Sequence, residues 1–581
     1  LAYAGPSFEN YEQKFFRVFE DAMAPPPCFE KQSMLVDKPG KLPNGCASLR
    51  AYRGPTCLVI PGNHDWFDGL RVFHRLICCR SWLGGWLLPQ KHTYFSVQLP
   101  HHWWIFAADF ALNTDIDSKQ FQYFSEIVNA HFVTGKERVI IISHEPGWIH
   151  EDHNKIPTET NLKYLIDHVI GKDRVKLRLS GDLHNYTRHE PVDKGTTLVV
   201  SGGGGAFLHP THCPYKRPIW YHGDLYHRVK EYPSIHISKL LSILNVFRFR
   251  EKNLSFDIMG GCLYYLVVFS CFPLCSIDNV DFADFTDFSG LVTRFCYYGY
   301  DITVIIIEES YVSLTVLILG AILCYFFTDF QIGSVKKRLL LSMLHLLAHY
   351  IAAIAILIFS EMFIVCLLNL HHGFGDVTTF ATFKKHFAKT YQFMLHVDAT
   401  YCGGYGLCTK CVALFFNAMD IVGFHVSLRT KMCALDGAAM SRLSRFVFHF
   451  TTFLFYYILA APVSAFILGI YLFISLNWYG KYDEGFSSLR LESYKNFLRF
   501  QLQEDGKLTC YVVAIDRVPN RWKMDKKWRT IHKDKHNQHE EASFESAYPS
   551  KWISFFSKGK FNRSSKYEYR RVKIIDQFDV H

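Results

Sequence analysis

The chain has 581 residues and a formal net charge of +10, and 49% of its residues are hydrophobic and 16% aromatic. This length excludes a single small module and allows three or four domains of ordinary size. The high apolar and aromatic content argues against a wholly soluble chain and predicts a membrane-embedded part. The 17 cysteines are scattered, which argues against a small disulfide-framed secreted domain.

The first part of the chain alternates strand-like and helix-like stretches. Short runs of β-branched and aromatic residues predict strands at 56–60, 103–109, 138–143, 175–180 and 196–201. Helices are predicted at 118–132 and 159–171, the second closing on a glycine that suits a helix C-cap. This alternation predicts an α/β layered domain whose ligand sites collect at the carboxyl ends of the strands.

Side chains able to bind metals or to move protons follow four of these runs. They are Asn63, His64, Asp65, His144, Asp182, His184, His209 and His212. Asn and Asp after Pro-Gly are also ordinary turn residues, which is the simpler interpretation of the first group. Because four strand ends carry such residues, we favour a metal site at this edge of the sheet.

The donor types in this group indicate the metal and the reaction. Imidazole nitrogens with carboxylate and amide oxygens, and no thiolate, favour two divalent ions among Mn, Fe, Zn and Mg. Two such ions about 3.5 to 4 Å apart polarise a phosphoryl group and activate a water. The sequence therefore predicts phosphoester hydrolysis.

A glycine-rich run at 201–207, SGGGGAF, is a second candidate phosphate site. It lacks the Lys-Ser/Thr pair of a P-loop, so we predict a close backbone approach near the metal site instead. The two histidines that follow it, His209 and His212, are candidate substrate contacts.

Long apolar runs fill the second half of the chain. They cover 259–277, 311–327, 339–370 and 446–478, with a weaker run at 411–428. About 20 apolar residues cross a bilayer, so we predict four or five spans within 255–478. The first run also fits a buried core helix.

The charges beside these runs predict an orientation. Arg248, Arg250 and Lys252 precede the first run, which places the first 250 residues in the cytosol by the excess of basic residues on cytoplasmic loops. The charges farther along the chain do not predict on which side of the membrane the C-terminal segment lies.

Three ionisable residues lie within the third apolar run. His345, His349 and Glu361 are functional candidates because charge is costly at membrane depth. The two histidines are four residues apart and would share one helix face. Packing between helices explains them equally well.

The segment 479–581 ends in a basic tail, with dense Lys and Arg at 521–541 and 558–573. Such a run is usually a solvated face, and the alternative is attraction to anionic lipid headgroups. No nucleic-acid-binding module is recognisable, so no nucleic-acid partner is expected.

Three motifs carry a family resemblance. GNHD at 62–65, a later single histidine and a G-x-x-H element after a strand resemble the calcineurin-like metallophosphoesterase superfamily. The run GGGGAFLHPTH and the segment FSSLR…YKNFLR…DRVP, within 486–519, resemble its membrane-associated branch. The resemblance implies a layered β-sandwich flanked by helices at 1–235, a multi-span helical membrane region at 255–478 and a small C-terminal segment.

The resemblance also implies roles for individual residues. Asn63 and His144 would bind the second metal ion, and His184 the first. His64 would protonate the leaving oxygen or steady developing charge, with Asp65 orienting its ring.

This sequence differs from the family pattern at two points, and both affect the roles given above. Asp182 stands where the family usually has a histidine ligand, which adds negative charge beside an anionic substrate. The opening LAYAGPS resembles the residues that directly follow the family's Gly-Asp motif, so the earlier motifs are expected upstream of Leu1. The chain as given would then lack ligands of the first ion and be inactive. The alternative is a catalytically inactive, phosphoesterase-like membrane scaffold or sensor.

Overall fold

The structure is a computed structural model. It describes residues 3–22, 48–52, 54–83, 86–112, 114–154, 157–213, 218–272, 288–328, 334–372, 428, 440–478, 482–519, 521–524, 552–554 and 572–580. The weak apolar run at 411–428 and most of the basic tail at 521–541 and 558–573 therefore lie outside the described residues.

The chain forms two compact units. The first joins Leu1–Ser242 to Tyr482–His581, and the second is Ile243–Lys481. The first is a mixed α/β unit and the second a helical unit. The predicted α/β class is confirmed at this level, as a mixed sheet core with a large helical region. The metallophosphoesterase sandwich and the domain limits 1–235, 255–478 and 479–581 stay predictions.

Fifteen strands occur in the described ranges. They are β1 (Trp82–Leu83), β2 (Trp86–Leu87), β3 (Phe95–Gln98), β4 (Trp103–Ala107), β5 (Arg138–Ser143), β6 (Val175–Ser180), β7 (Tyr186–Pro191), β8 (Thr197–Ser201), β9 (Ile219–Tyr221), β10 (Asp224–Tyr232), β11 (Lys495–Leu502), β12 (Leu508–Ile515), β13 (Trp522–Met524), β14 (Trp552–Ser554) and β15 (Lys573–Val580).

The main sheet of the α/β unit has eight strands in the order β3-β4-β5-β6-β8-β7-β10-β9. Its centre, β4-β5-β6-β8, is parallel, and the remaining pairs are antiparallel. These four parallel strands are the predicted runs that begin at 103, 138, 175 and 196. Because parallel strands end at one edge, the polar residues that follow β5, β6 and β8 lie at that edge.

The predicted strand at 56–60 is wrong. Only Thr56 forms an isolated bridge, to Leu87, and the following residues belong to no strand. The extended backbone is paired with a side chain instead, since the Val59 N–H donates to Gln90 Oε1 at 2.6 Å and the Gln90 amide donates to the Val59 carbonyl at 2.8 Å. A glutamine here replaces a neighbouring strand as the hydrogen-bond partner.

The α-helices of the described chain are Phe8–Tyr11, Arg17–Ala22, Arg71–Phe73, Ser118–His131, Gly147–Asn154, Thr160–Leu165, Ile235–Lys252, Leu254–Val268, Phe288–Glu308, Tyr311–Phe327, Val335–His372, Arg442–Trp478 and Tyr482–Ser487. Short 3-10 helices cover Leu49–Ala51, Asn63–Asp68, Lys172–Arg174 and Phe269–Cys271, and π-helical turns cover Glu12–Phe16, His74–Cys78 and Ile166–Ile170.

Both helices predicted in the α/β unit are present. The first begins after Asp117, whose side chain accepts a hydrogen bond from the Gln120 N–H at 2.8 Å. The second consists of Thr160–Leu165 and the π-turn that follows, and it ends at Gly171 with φ of 93°. The predicted glycine C-cap is therefore confirmed.

The two faces of the main sheet pack against different partners. On one face Phe106 and Ile141 join helix residues such as Phe124 in one hydrophobic cluster. On the other, Ile140 joins Val512 in a second cluster that brings in the antiparallel sheet β11-β12-β15. The C-terminal strands thus complete the hydrophobic core of the α/β unit.

Among the described residues, the helical unit contains three helices long and apolar enough to cross a membrane. They are Leu254–Cys271, Val335–Ser360 and Arg442–Trp478. The helices Phe295–Glu308 and Tyr311–Phe327 meet at 98° and would make a fourth if they form one broken span. The number of spans stays a prediction.

Candidate functional site

The site begins where two parallel strands end side by side. β5 leads into His144 and β6 into Asp182, and the Gly181 N–H donates to the His144 carbonyl at 2.9 Å. This backbone link brings the His144 Nε2 atom to 3.4 Å from Asp182 Oδ1. The structure thus brings together two of the predicted ligand residues.

His150 is a third member of this cluster, and the sequence reasoning missed it. It lies on the helix Gly147–Asn154, directly after the β5 end, and its Nε2 atom is 3.6 Å from Asp182 Oδ2. A helix that starts at a Pro-Gly pair three residues after His144 returns His150 towards the strand end. That spacing was the available signal.

Asp182 is held as an anion between the two imidazoles. Burial favours the neutral carboxyl, but the neighbouring His144 and His150 rings outweigh it and lower the pKa of Asp182. Burial likewise opposes charge on His150, but contact with the Asp182 carboxylate raises its pKa. Asp182 has a φ of 57°, a left-handed conformation that aspartate tolerates better than most residues.

The turn after residue 60 passes close to His144. A Cβ atom added at Gly62 would lie 3.0 Å from the His144 Cε1 atom, so only glycine allows this approach without displacement. Asn63 and His64 follow in the 3-10 helix Asn63–Asp68. The turn that carries the first predicted group therefore packs against the end of β5.

Asp65 is fully buried beneath this turn. Its carboxylate accepts hydrogen bonds from the Tyr11 hydroxyl and, at 2.8 Å, from the Gly62 N–H. These contacts fix the turn. The His64 Nδ1 atom has no hydrogen-bond partner among the described residues, so the role of Asp65 in orienting the His64 ring stays a prediction.

Aromatic rings connect the His64 side of the site to the His184 side. The Tyr3 ring lies edge-on to the rings of His64, at 4.7 Å between centroids, and Phe207, at 5.9 Å. Phe207 in turn lies edge-on to His184 at 4.9 Å. The predicted residues around His64 and His184 are therefore linked through one continuous set of contacts.

His184 is stacked on His209. The two ring centroids are 4.4 Å apart with 11° between the planes, and the His184 N–H donates to the His209 Nδ1 atom at 3.1 Å. Burial lowers the pKa of His184 to about 4 and that of His209 to about 3. Both rings are therefore neutral near pH 7. Because His209 Nδ1 already accepts the His184 N–H, the lone pair available to bind a metal ion is that of the His184 ring.

The glycine-rich run approaches His184 as predicted. A Cβ atom added at Gly205 would lie 2.0 Å from the His184 Cδ2 atom. The Lys495 ammonium, from β11, donates to the Gly205 carbonyl, and a cavity of about 490 Å³ is lined by this run together with Lys495 and Asn496. No local sequence signal indicates Lys495, because it lies about 290 residues from Gly205 along the chain.

His212 is held in a different environment. Its ring is buried, and its Nδ1 atom lies 2.7 Å from the Ser238 hydroxyl in the helix Ile235–Lys252. Contact of His212 and of His209 with substrate stays a prediction.

The donor types of the site fit a divalent ion. The His184 Nδ1 atom is buried without a hydrogen-bond partner in the described ranges, as suits a metal ligand, whereas the Nε2 atoms of His144 and His150 face the Asp182 carboxylate. Within those ranges, however, no group of three His, Cys, Asp or Glu side chains is placed so that it could hold an ion. The residue types therefore suit a metal ion. The described structure brings them together two at a time, as His144 with Asp182, His150 with Asp182, and His184 with His209.

Comparisons with known proteins do not show a family for this chain. No protein-family model and no curated protein sequence matches the chain. Among solved structures, a purple acid phosphatase from yellow lupin (Lupinus luteus) seeds is similar over 24% of this chain and 26% of that one, at 17% identity and a TM-score of 0.18. The match spans about a quarter of the lupin enzyme, so membership of the metallophosphoesterase superfamily stays a prediction.

Proposed function

We propose that this chain is a membrane-bound, metal-dependent phosphoesterase. One observation carries the proposal: the Asp182 carboxylate lies between the Nε2 atoms of His144 and His150 at the carboxyl ends of two parallel strands. Carboxylate and imidazole donors at this position suit divalent ions that activate phosphoester hydrolysis. The helical unit would hold the α/β unit at a bilayer.

Asn63, His144, Asp182 and His184 would hold the ions, as the sequence resemblance implies, and His150 is a further candidate from the geometry. When bound, the ions would polarise the phosphoryl group and lower the pKa of a water. Manganese, iron, zinc and magnesium all suit these donors.

The chain's own groups would position the ester and move the proton. The Lys495 ammonium would attract the negative phosphoryl oxygens from the side of the glycine-rich run. A water oxygen attacks phosphorus, the bond from phosphorus to the ester oxygen breaks, and His64 gives a proton to the departing alcohol. Edge-on contacts with Tyr3 and, at 4.9 Å, Phe67 restrain the His64 ring for this transfer.

An inactive scaffold or sensor is the second candidate. It is favoured by the same contacts, because the Asp182 carboxylate already has two imidazole partners within the chain. The two functions differ in whether the chain binds metal and turns over an ester.

A metal-loading and turnover assay separates them. The full chain, purified in detergent, is titrated with Mn²⁺ and assayed with p-nitrophenyl phosphate and bis-p-nitrophenyl phosphate, a monoester and a diester. We expect His64→Ala to lower kcat by about 10²-fold to 10⁴-fold with metal binding unchanged. Asp182→Asn should weaken Mn²⁺ binding itself, measured by electron paramagnetic resonance of the free ion.

His227→Ala is the matched control, since His227 is exposed on β10. This variant should change neither Mn²⁺ binding nor ester turnover. Turnover that survives His64→Ala would remove the role of that residue, and absence of Mn²⁺ binding by the wild-type chain would favour the scaffold.

A further inference from the structure

An open groove with a volume of about 490 Å³ lies beside the glycine-rich run of the α/β unit. One wall is formed by residues 203–206. The other is the face of the sheet β11-β12-β15 that is turned away from the main sheet. Phe497 pairs with Val513 on this face, while their neighbours Leu498 and Val512 point into the shared core. The volume is within the range of about 300 to 1,000 Å³ that is usual for small-molecule sites.

The sheet wall of this groove is mostly apolar and accessible. Phe497 is 59% exposed and Val572 is 65% exposed, although both side chains are hydrophobic. Among the described residues that line the groove, the only polar side chains are Lys495, Asn496 and Glu492. A sugar would find few side-chain hydrogen-bond partners on this wall, whereas a hydrocarbon chain would remove apolar surface from water.

The groove has a positively charged end next to the candidate metal site. The Lys495 ammonium donates a hydrogen bond to the Gly205 carbonyl, and both residues line the groove. A Cβ atom added at Gly205 would lie 2.0 Å from the His184 Cδ2 atom, so a single glycine separates the ammonium from a candidate metal ligand. An ammonium has three N–H donors and the Gly205 carbonyl takes one, which leaves donors for the oxygens of an anion.

The burial of Lys495 also favours an anionic ligand. Burial lowers the pKa of the Lys495 ammonium, and the neighbouring Glu492 carboxylate only partly offsets this effect. Glu492 is itself exposed, so its charge is screened by solvent and salt. A phosphoryl group in contact with this ammonium would return electrostatic stabilisation that burial removes.

We propose that the groove binds an amphiphilic phosphoester, with its phosphoryl group at the Lys495 ammonium and its hydrocarbon chain along Phe497, Val513 and Val572. The inference rests on the proposed function, because it names the substrate class of that same site. A phosphoester without a hydrocarbon chain would leave the exposed apolar wall in water. The hydrocarbon chain of the substrate should therefore contribute much of its affinity.

Competition between phosphonates tests the groove without any turnover. The full chain in phosphatidylcholine vesicles, with no added metal, is photolabelled with a long-chain alkylphosphonate that carries a diazirine and an alkyne in its chain. Its phosphorus–carbon bond is not an ester, so hydrolysis cannot alter the result. We expect label on the peptides of β11 and β12. A long-chain alkylphosphonate without the diazirine should displace this label about tenfold more effectively than methylphosphonate does.

Matched variants test the two ends of the groove. Phe497→Ser should lower labelling about fivefold, because it removes apolar contact with the chain of the probe. Trp220→Ser is the control and should leave labelling unchanged, since Trp220 is a 64% exposed aromatic residue of β9 that does not line the groove. Lys495→Met should lower labelling by the phosphonate about tenfold and leave labelling by its neutral dimethyl ester unchanged.

Equal displacement by methylphosphonate, or labelling that survives Phe497→Ser, would overturn the proposal. Circular dichroism shows whether each variant has folded, and Val572→Ser provides the same test should Phe497→Ser fail to fold. The result is distinguishable from that of the turnover assay. A chain that binds the probe but hydrolyses no ester supports the groove and contradicts the phosphoesterase proposal. A chain that hydrolyses p-nitrophenyl esters but takes no label in β11 and β12 overturns the groove alone.

Discussion

The two units bury polar groups in opposite ways. The α/β unit buries full charges in pairs: the Arg178 guanidinium donates to both oxygens of Glu159, at 2.9 and 3.0 Å, and both side chains are almost fully buried. The helical unit buries many hydroxyls whose partners are carbonyls one turn earlier, such as Ser360 on Ile356 and Thr452 on Phe448.

This difference reflects what each unit can supply. A sheet brings distant segments together, so a buried ion can find a partner far along the chain, which repays part of its desolvation cost. A helix in an apolar surrounding satisfies its polar side chains within itself. The α/β unit should therefore lose much stability when one partner of a buried pair is removed, and the helical unit little when one hydroxyl is removed.

The largest expected effect is at the Arg178–Glu159 pair. Glu159→Gln removes the carboxylate charge and leaves the guanidinium buried, which should lower the free energy of unfolding by about 3 to 5 kcal/mol. Chemical denaturation of the purified chain, followed by tryptophan fluorescence, measures this.

The control for this change is Glu190→Gln. Glu190 pairs with Arg188 but its side chain is 43% exposed, so its loss should cost less than about 1 kcal/mol. Equal losses in the two variants would show that burial does not decide the cost of an ion pair in this unit.

The second-largest expected effect is on how the stability of the α/β unit depends on pH. Burial, partly offset by hydrogen bonds from Thr93 and Trp66, raises the pKa of Asp109 from 3.8 to about 6. The folded state therefore keeps a proton that the unfolded state releases, and this contribution to stability is lost as pH rises from 4 to 6. Asp109→Asn should remove this slope and stabilise the chain at pH 7 by roughly 2 to 3 kcal/mol.

Thermal unfolding at a series of pH values tests the Asp109 prediction. Asp193→Asn is the control, because Asp193 is an exposed carboxylate that is not among the groups that raise the pKa of Asp109, so the slope should remain. A slope that persists in Asp109→Asn would assign it to another group.

The smallest effects are expected in the helical unit. The Tyr456 hydroxyl donates across helices to the Ala353 carbonyl at 2.8 Å, so Tyr456→Phe should cost about 0.5 to 1.5 kcal/mol. Thr452→Val, which removes a bond within one helix, should cost less. Unfolding in mixed detergent measures both, and a loss from Thr452→Val as large as that from Glu159→Gln would contradict the contrast between the units.

The parallel core was predictable from sequence because its signal is local. β5 (RVIIIS) is a continuous apolar run, which is typical of strands buried on both faces, and β6 (VKLRLS) alternates apolar with basic residues; each is followed by polar residues. The run at 56–60 is also rich in β-branched and apolar residues, but it meets β2 only at the Thr56–Leu87 bridge, and the Gln90 side chain is the partner of Val59. Composition alone cannot distinguish these cases.

The parts of the site that were missed depend on distant contacts. Lys495 reaches Gly205 only because β11 belongs to a sheet that packs on the main sheet, and Asp576 of β15 accepts hydrogen bonds from Tyr186 and Arg188. His150 depends on the angle of a short helix. The residues His64, His144, Asp182 and His184 were found because each lies within four residues of the end of a predicted strand.

The composition of the α/β unit from both ends of the chain has a topological consequence. Ser242 and Tyr482 belong to one compact unit, in which β11-β12-β15 packs on the main sheet and Asp576 accepts a hydrogen bond from Tyr186, and a bilayer cannot divide such a shared core. If the intervening segment crosses a membrane, as we propose, it must do so an even number of times. An even number, such as the four that result if the bent pair makes one span among the described helices, would return the C-terminal strands to the compartment of the N-terminal ones.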